Sequence, residues 1–115
     1  MSETIIYHNP SCSKSRTTLA LLRQRGIEPE IIHYLTDVPN QAQLTTIVNC
    51  GVPIQELIRT QEELWQTLNI NLETASQSDL IAVLMEHPSV MQRPVVIHLG
   101  QAIIARPPEK ILEII

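Results

Sequence analysis

At 115 residues, 43% of them hydrophobic, the chain is long enough to bury a core without metal or disulfide staples, and we expect one domain spanning residues 1–115. Its formal net charge of -4, with eight Lys and Arg residues, argues against nucleic acid binding, which requires a basic face. The apolar runs fall well short of the roughly 18 residues that a membrane-spanning helix needs, so we expect a soluble protein with no nucleic acid or membrane partner.

The first third of the chain is predicted to form a strand, a helix and a second strand. TIIYH (4–8) is short, β-branched and aromatic, and the Asn-Pro after it ends the strand. SCSKSRTTLALLRQRG has a serine-rich start, leucines at helical spacing and Gly26 as its stop, which is typical of a helix. EIIHYL (30–35) predicts the second strand. Two strands joined by such a helix form a right-handed βαβ unit with parallel strands.

The middle of the chain is predicted to be helical. Apolar residues recur at helical spacing in PNQAQLTTIVNCG (39–51), and Gly51 closes that segment. IQELIRTQEELWQTL (54–68) predicts further helical pieces. SQSDLIAVLMEHP predicts a helix that begins at Ser76 or Ser78 and ends at Pro88.

The last quarter of the chain predicts a hairpin and a final helix. PVVIHLGQAIIAR is typical of a hairpin with strands Val95–His98 and Ala102–Ala105 around a Leu-Gly turn. PPEKILEII predicts a helix that tolerates proline in its first turn. The order βαβ, helices, ββα therefore predicts an α/β fold of the thioredoxin-like type. We expect a four-stranded mixed sheet flanked by helices, with a helical insertion between the second and third strands.

Cys12 is the clearest chemical signal, because it lies in the polar stretch HNPSCSKSR (8–16). A cysteine that fills a core usually lies in an apolar run. Here the thiol is predicted at the entrance of the first helix, where the macrodipole and free backbone N–H groups stabilise a thiolate and lower its pKa. The same amides can bind a tetrahedral oxyanion. The alternative is an exposed helix cap without chemistry.

Two basic residues flank Cys12. Arg16 lies four residues later, one turn along the same helix face. His8 ends the first strand, and as an imidazolium it would favour the thiolate further. The alternative for His8 is a strand-end histidine that bonds to the backbone.

The spacing of residues excludes several other thiol sites. A C-x-x-C motif would need a cysteine where this chain has Ser15. A phosphatase-type loop pairs a cysteine with an arginine six positions later, and Thr18 stands there. Two distant cysteines and four histidines give no zinc-ligand pairs, so we expect no metal. Because MSETIIYHNP is unlike a signal peptide, we expect a cytoplasmic protein, and we expect it to be a monomer.

The chain resembles the glutaredoxin-coupled arsenate reductase family through four segments that occur in the family's order and span nearly the whole chain. They are IYHNPSCSKSRTTL, LIR at 57–59, RPVV at 93–96 and ARPPEKILEI. Together they point to the short branch of the family, which lacks a C-terminal extension. The resemblance implies a thioredoxin-like fold and a cis peptide bond at Arg93–Pro94, beside the active-site loop.

The resemblance also implies the roles of individual residues. Cys12 is the catalytic thiol, and His8 helps to ionise it. The residues that bind and stabilise the arsenic oxyanion are Arg59, Arg93 and Arg106. The residues expected to contact substrate are Ser11, Ser13, Lys14, Ser15, Arg16 and Pro94. Ser13 and Lys14 stand where the best-known arsenate reductases have Gly-Thr after the cysteine.

The activity that the resemblance implies is the reduction of arsenate to arsenite. The Cys12 thiolate attacks arsenate, glutathione attacks the adduct, and glutaredoxin clears the Cys12–glutathione mixed disulfide. Glutathione is thus a co-substrate, no cofactor is bound, and Cys50 has a structural role. The alternatives are a glutathione-dependent thiol reductase with another substrate and a redox-linked regulatory binding protein, although relatives of the regulatory type usually carry C-x-x-C.

Overall fold

A four-stranded mixed sheet forms the centre of the protein in a computed structural model that describes residues 3–115. The strands are β1 (Thr4–His8), β2 (Glu30–His33), β3 (Val95–His98) and β4 (Gln101–Ile104). The α-helices are α1 (Ser13–Gln24), α2 (Gln41–Asn49), α3 (Glu63–Thr67) and α4 (Gln77–Glu86). Short 3₁₀ helices cover Ile54–Leu57, Pro88–Val90 and Pro108–Glu113. This order confirms the predicted α/β plan with its helical insertion.

The strand order β2-β1-β3-β4 places the functional segments at one edge of the sheet. β1 and β2 are parallel, with His8 opposite His33 at their carboxyl ends. β3 is antiparallel to both β1 and β4, and its first residue, Val95, lies opposite Tyr7 and Ile104. The chain therefore leaves β1, β2 and β4 and enters β3 at the same edge. We call this the Cys12 edge, since the Cys12 loop follows β1 there.

Both faces of the sheet are covered, as the apolar run in β1 indicates. Tyr7 contributes to the larger hydrophobic cluster, which includes Leu44 of α2 and Leu84 of α4. Ile6 points to the other face, where it packs with Leu22 of α1 and with Ile111 of the last 3₁₀ helix. Because successive strand residues alternate between faces, β1 joins the two clusters. This packing fixes α1, the helix that follows Cys12, against the sheet.

The boundaries of two strands differ from the prediction. β2 ends at His33 rather than at residue 35, because the chain turns there and the N–H of Thr36 donates to the carbonyl of His33 at 3.0 Å. β4 begins at Gln101, one residue earlier than predicted. The two-residue turn explains this register. Leu99 and Gly100 both have positive φ, as a tight hairpin turn requires, so His98 faces Gln101 directly.

The helical predictions are confirmed in type for α1, α2 and α4, and Ser76 is the N-cap of α4 through a hydrogen bond from the N–H of Asp79. The 54–68 segment contains a 3₁₀ turn and the short α3, and between them Ile58 forms an antiparallel bridge with Met91. The C-terminal segment is a 3₁₀ helix rather than an α-helix. Within residues 3–115, no helix combines the length and the apolar character needed to cross a membrane.

Candidate active site

Four segments of the chain meet at the Cys12 edge. The loop Asn9–Cys12 follows β1, and Tyr34 follows β2. The Arg93–Pro94 peptide bond, which is cis as expected, leads into β3, and Arg106 follows β4. The N–H of Ala105 donates to the carbonyl of Pro94 at 3.0 Å, which ties the last two segments together.

Cys12 is the N-cap residue of α1, as the sequence predicted. Its backbone is extended, with φ -95° and ψ 121°, and its carbonyl accepts from the N–H of Arg16 at 3.0 Å. The thiol is free and half-buried. The backbone N–H groups of Ser15 and Lys14, in the first turn of α1, lie close enough to the thiol to lower the pKa of Cys12. The first turn of α1 thus directs its unpaired amides at the sulfur.

These contacts determine the acidity of the thiol. Burial alone would raise the pKa of Cys12, but the N–H groups of Ser15 and Lys14 and the hydrogen bond and charge of Arg93 outweigh it. The pKa of Cys12 is therefore lower than that of an ordinary cysteine. Because the thiolate is the nucleophilic form, Cys12 is an activated nucleophile.

Arg93 links the thiol to an anion site. Its guanidinium lies near Cys12 and lowers the pKa of the thiol, while its Nε and Nη1 are buried and have no hydrogen-bond partner within residues 3–115. Buried donors are almost always paired, because leaving one unsatisfied costs about 1–3 kcal/mol. Two unpaired donors on one cation beside a thiolate therefore mark a place for an anionic acceptor.

Arg59 and Arg106 lie beside this site. Arg106 Nη1 donates to the carbonyl of Arg93 at 3.1 Å. Both arginines line a polar pocket of about 350 Å³, together with Gln92. Arg59 pairs with Glu62 at 2.9 Å, and its backbone N–H donates to the carbonyl of Val90 at 2.7 Å. The structure thus brings together the three arginines that the resemblance singled out.

His8, which the resemblance implies helps to ionise Cys12, contacts Ser15 in the structure. His8 is buried, and its Nδ1 lies 2.6 Å from the Oγ of Ser15. Burial, then the charges of His33, Arg23 and Arg16, lower the pKa of His8. The role of His8 in ionising Cys12 stays a prediction, although a lowered pKa favours the neutral ring. His8 holds Ser15, whose hydroxyl also accepts from the N–H of Asn9 at 3.1 Å.

The other residues of the predicted substrate loop are exposed at the surface. Ser11, Ser13 and Lys14 are exposed, and the N–H of Ser11 donates to Asn9 Oδ1 at 3.0 Å. Arg16 is exposed as well, but its Nη1 donates to the carbonyl of Pro10 at 2.8 Å. Arg16 therefore braces the loop that precedes Cys12. Its direct contact with substrate stays a prediction.

Sequence reasoning missed Tyr34, which it placed inside β2. The side chain is 1% exposed, and Asn9, Arg93, Arg59 and Cys12 all lie close enough to act on the pKa of its phenol. The parallel register of β1 and β2 identifies it. His8 lies opposite His33 at the ends of the two strands, and Asn9 and Tyr34 are the residues that come next. Within the described residues, no group of three His, Cys, Asp or Glu side chains could hold a metal ion.

Residues 7–114 match the model of the ArsC family. The chain belongs to the ArsC family. It is 43% identical over 113 residues to "Arsenate reductase" of Haemophilus influenzae, covering 96% of this chain and 97% of that protein. It is also 43% identical over 112 residues to "Uncharacterized protein YfgD" of Escherichia coli, covering 96% of this chain and 94% of that protein.

A solved structure confirms the thioredoxin-like fold of this ArsC-family chain. "Arsenate reductase from Vibrio cholerae" superimposes with a TM-score of 0.91 at 43% sequence identity. The alignment covers 97% of this chain and 97% of that chain. The fold and the order of segments around the Cys12 edge are therefore those of the family.

Proposed function

We propose that the protein reduces arsenate to arsenite through the Cys12 thiolate, with glutathione and glutaredoxin as electron donors. The observation that carries this proposal is the pair of unpartnered, buried nitrogen atoms of Arg93 beside an activated thiol. A tetrahedral oxyanion offers acceptor oxygens to such donors and an electrophilic centre to the sulfur. The arsenate reductase names of the relatives from Haemophilus influenzae and Vibrio cholerae support this substrate.

The first step joins sulfur to arsenic without a change in oxidation state. The Cys12 thiolate attacks As(V), an As–S bond forms, and one arsenate oxygen leaves as water after protonation. Arg93 neutralises negative charge on the oxygens that remain, and Arg59 and Arg106 line the polar pocket beside it. The lowered pKa of Cys12 supplies the thiolate at neutral pH.

The second step transfers two electrons. A glutathione thiolate attacks Sγ of Cys12, an S–S bond forms, and the As–S bond breaks with its electron pair staying on arsenic. As(V) thereby becomes As(III), and two thiols become one disulfide. A glutaredoxin thiol then attacks the glutathione sulfur and releases the Cys12 thiolate. A glutathione-rich cytoplasm would keep Cys12 reduced between turnovers.

An external thiol is part of the proposal because of where Cys50 lies. Cys50 follows α2, packs against the larger hydrophobic cluster, and its carbonyl accepts from the N–H of Ala102 at 2.9 Å. Cys12 lies at the start of α1 on the Cys12 edge. Both thiols are free. We therefore assign Cys50 a packing role and assign resolution of the intermediate to glutathione.

The test is arsenate-dependent NADPH oxidation in an assay coupled to glutathione, glutaredoxin and glutathione reductase. We expect turnover with the wild type and with Cys50→Ser, and none with Cys12→Ser. Loss of turnover in a folded Cys50→Ser variant would overturn the external-thiol step. A folded wild type without arsenate turnover would overturn the proposed substrate and would favour a thiol reductase that acts on a disulfide.

A further inference from the structure

Tyr34 is a buried phenol that the proposed reaction has not yet used. It follows β2 at the Cys12 edge, directly beyond His33, which pairs with His8 in the sheet. Its side chain is 1% exposed, and it packs in the larger hydrophobic cluster. Buried tyrosines usually place their hydroxyl against a hydrogen-bond partner, so the partners of this one identify its role.

Asn9 lies near the phenol at the Cys12 edge. The Oδ1 of Asn9 accepts from the N–H of Ser11 at 3.0 Å, so its amide nitrogen is the group that Asn9 can offer to the phenolic oxygen of Tyr34, and Asn9 lowers the pKa of that phenol as a donor would. A hydroxyl that accepts from Asn9 keeps its own O–H for donation. The loop that carries Cys12 therefore orients the phenol while leaving its donor free.

The other side of the phenol faces the charged groups of the site. Arg93, Arg59 and Cys12 all lie close enough to act on it electrostatically. Burial raises the pKa of Tyr34 in spite of the two arginines, so the hydroxyl keeps its proton at neutral pH. A neutral O–H beside two cations is suited to donate to an anion that those cations hold.

We propose that Tyr34 is a substrate-contacting residue whose phenolic O–H donates a hydrogen bond to an oxygen of the oxyanion bound by Arg93. This inference rests on the proposed function, since it assumes that an oxyanion enters the site. It adds to the arginine cluster a neutral donor that is fixed by Asn9 and by the core. The contact recognises an oxygen atom, which a disulfide substrate does not offer.

The chain provides a matched control in its other tyrosine. Tyr7 is 2% exposed and belongs to the same hydrophobic cluster. Burial, then the charges of Glu30 and Asp37, raise the pKa of Tyr7 to about 12. Its phenol is thus influenced by carboxylates, whereas that of Tyr34 is influenced by Cys12 and two arginines. Tyr7→Phe removes a buried hydroxyl of the same kind without touching the anion site.

The experiment measures how well arsenate protects Cys12 from iodoacetamide, in a Cys50→Ser background so that Cys12 is the thiol that reacts. We expect the half-protecting arsenate concentration to rise roughly tenfold or more in Tyr34→Phe, the loss typical of one hydrogen bond to a charged group, and to stay unchanged in Tyr7→Phe. We expect the pKa of Cys12 to be the same in both variants, because Tyr34 is not among the groups that lower it.

Each other outcome has a distinct meaning. Equal protection in Tyr34→Phe and the wild type would overturn the Tyr34 contact and leave the proposed function standing. No protection of the wild type would overturn the anion site and the Tyr34 contact with it. If Tyr34→Phe does not fold, Tyr7→Phe leaves Tyr34 as the single tyrosine. Arsenate should then shift the tyrosine band of its ultraviolet spectrum, and an unchanged band would overturn the contact.

Discussion

The guanidinium of Arg93 lies near the thiol of Cys12 and lowers its pKa, and the Nε and Nη1 of the same guanidinium are buried without a partner in the described part of the chain. One side chain thus stabilises the nucleophile and presents donors to the group that the nucleophile attacks. The carbonyl of Arg93 accepts from Arg106, which ties the positions of the two guanidinium groups together. Activation of the thiol and binding of the anion are therefore coupled through Arg93.

Replacing Arg93 should affect both properties. In Arg93→Gln, the thiolate loses a nearby positive charge that lowers its pKa, so the pKa of Cys12 should rise. We expect kcat/KM for arsenate to fall by roughly 10²–10³-fold, as for the loss of one donor to an oxyanion. The pH dependence of Cys12 alkylation measures the first effect. Arg25→Gln, which removes a positive charge at the far end of α1, is the control. An unchanged pKa of Cys12 in Arg93→Gln would contradict the coupling.

Ser15 should contribute to stability through its side chain. Its buried hydroxyl contacts Nδ1 of His8 at 2.6 Å and accepts from the N–H of Asn9 at 3.1 Å. Ser15→Ala leaves both groups without that partner, so we expect the free energy of unfolding in urea to fall by about 1–3 kcal/mol. Ser13→Ala changes an exposed serine in the same helical turn and should have little effect. Equal effects of the two substitutions would show that the His8–Ser15 contact adds nothing.

Buried His8 should make stability depend on pH in the acid range. Its pKa is lowered in the folded protein, so the unfolded chain binds the proton first as the pH falls below its ordinary value of 6.5. Stability should therefore be fully present above pH 6.5 and should decrease as the pH falls through the lowered value. His8→Gln should flatten this part of the curve. Urea unfolding at several pH values in this range measures how the free energy of unfolding depends on pH. If the same dependence persists in His8→Gln, it arises from other groups and the prediction is wrong.

The hairpin turn offers a stability test away from the active site. Leu99 has φ 48° and is 64% exposed, so its side chain gains little from packing while its backbone adopts the left-handed conformation. Leu99→Asn should raise the free energy of unfolding by about 0.5–1 kcal/mol, since Asn-Gly is favoured in such turns. Gly100→Ala should lower it, because Gly100 has φ 82°. A lower melting temperature for Leu99→Asn would contradict this view of the turn.

The sequence was sufficient for the features that depend on local patterns. Cys12 at the start of α1, Ser76 as the N-cap of α4 and the Leu99-Gly100 turn follow from residue types in a short window. The resemblance supplied the arginines, whose clustering depends on sheet register across distant segments. The burial of His8 and its contact with Ser15 were not predicted, because they arise from tertiary packing. Tyr34 was missed because the strand pattern of residues 30–35 gives no sign that the chain leaves the sheet after His33.

A single-turnover experiment tests the central claim most directly. Reduced protein is mixed with arsenate and glutathione without glutaredoxin, and intact mass spectrometry and arsenic speciation follow the products. The account predicts one Cys12–glutathione mixed disulfide and one arsenite per chain, neither of them forming without arsenate or in Cys12→Ser. Arsenite formation by Cys12→Ser, or a folded wild-type protein that acquires no glutathione in the presence of arsenate, would contradict it.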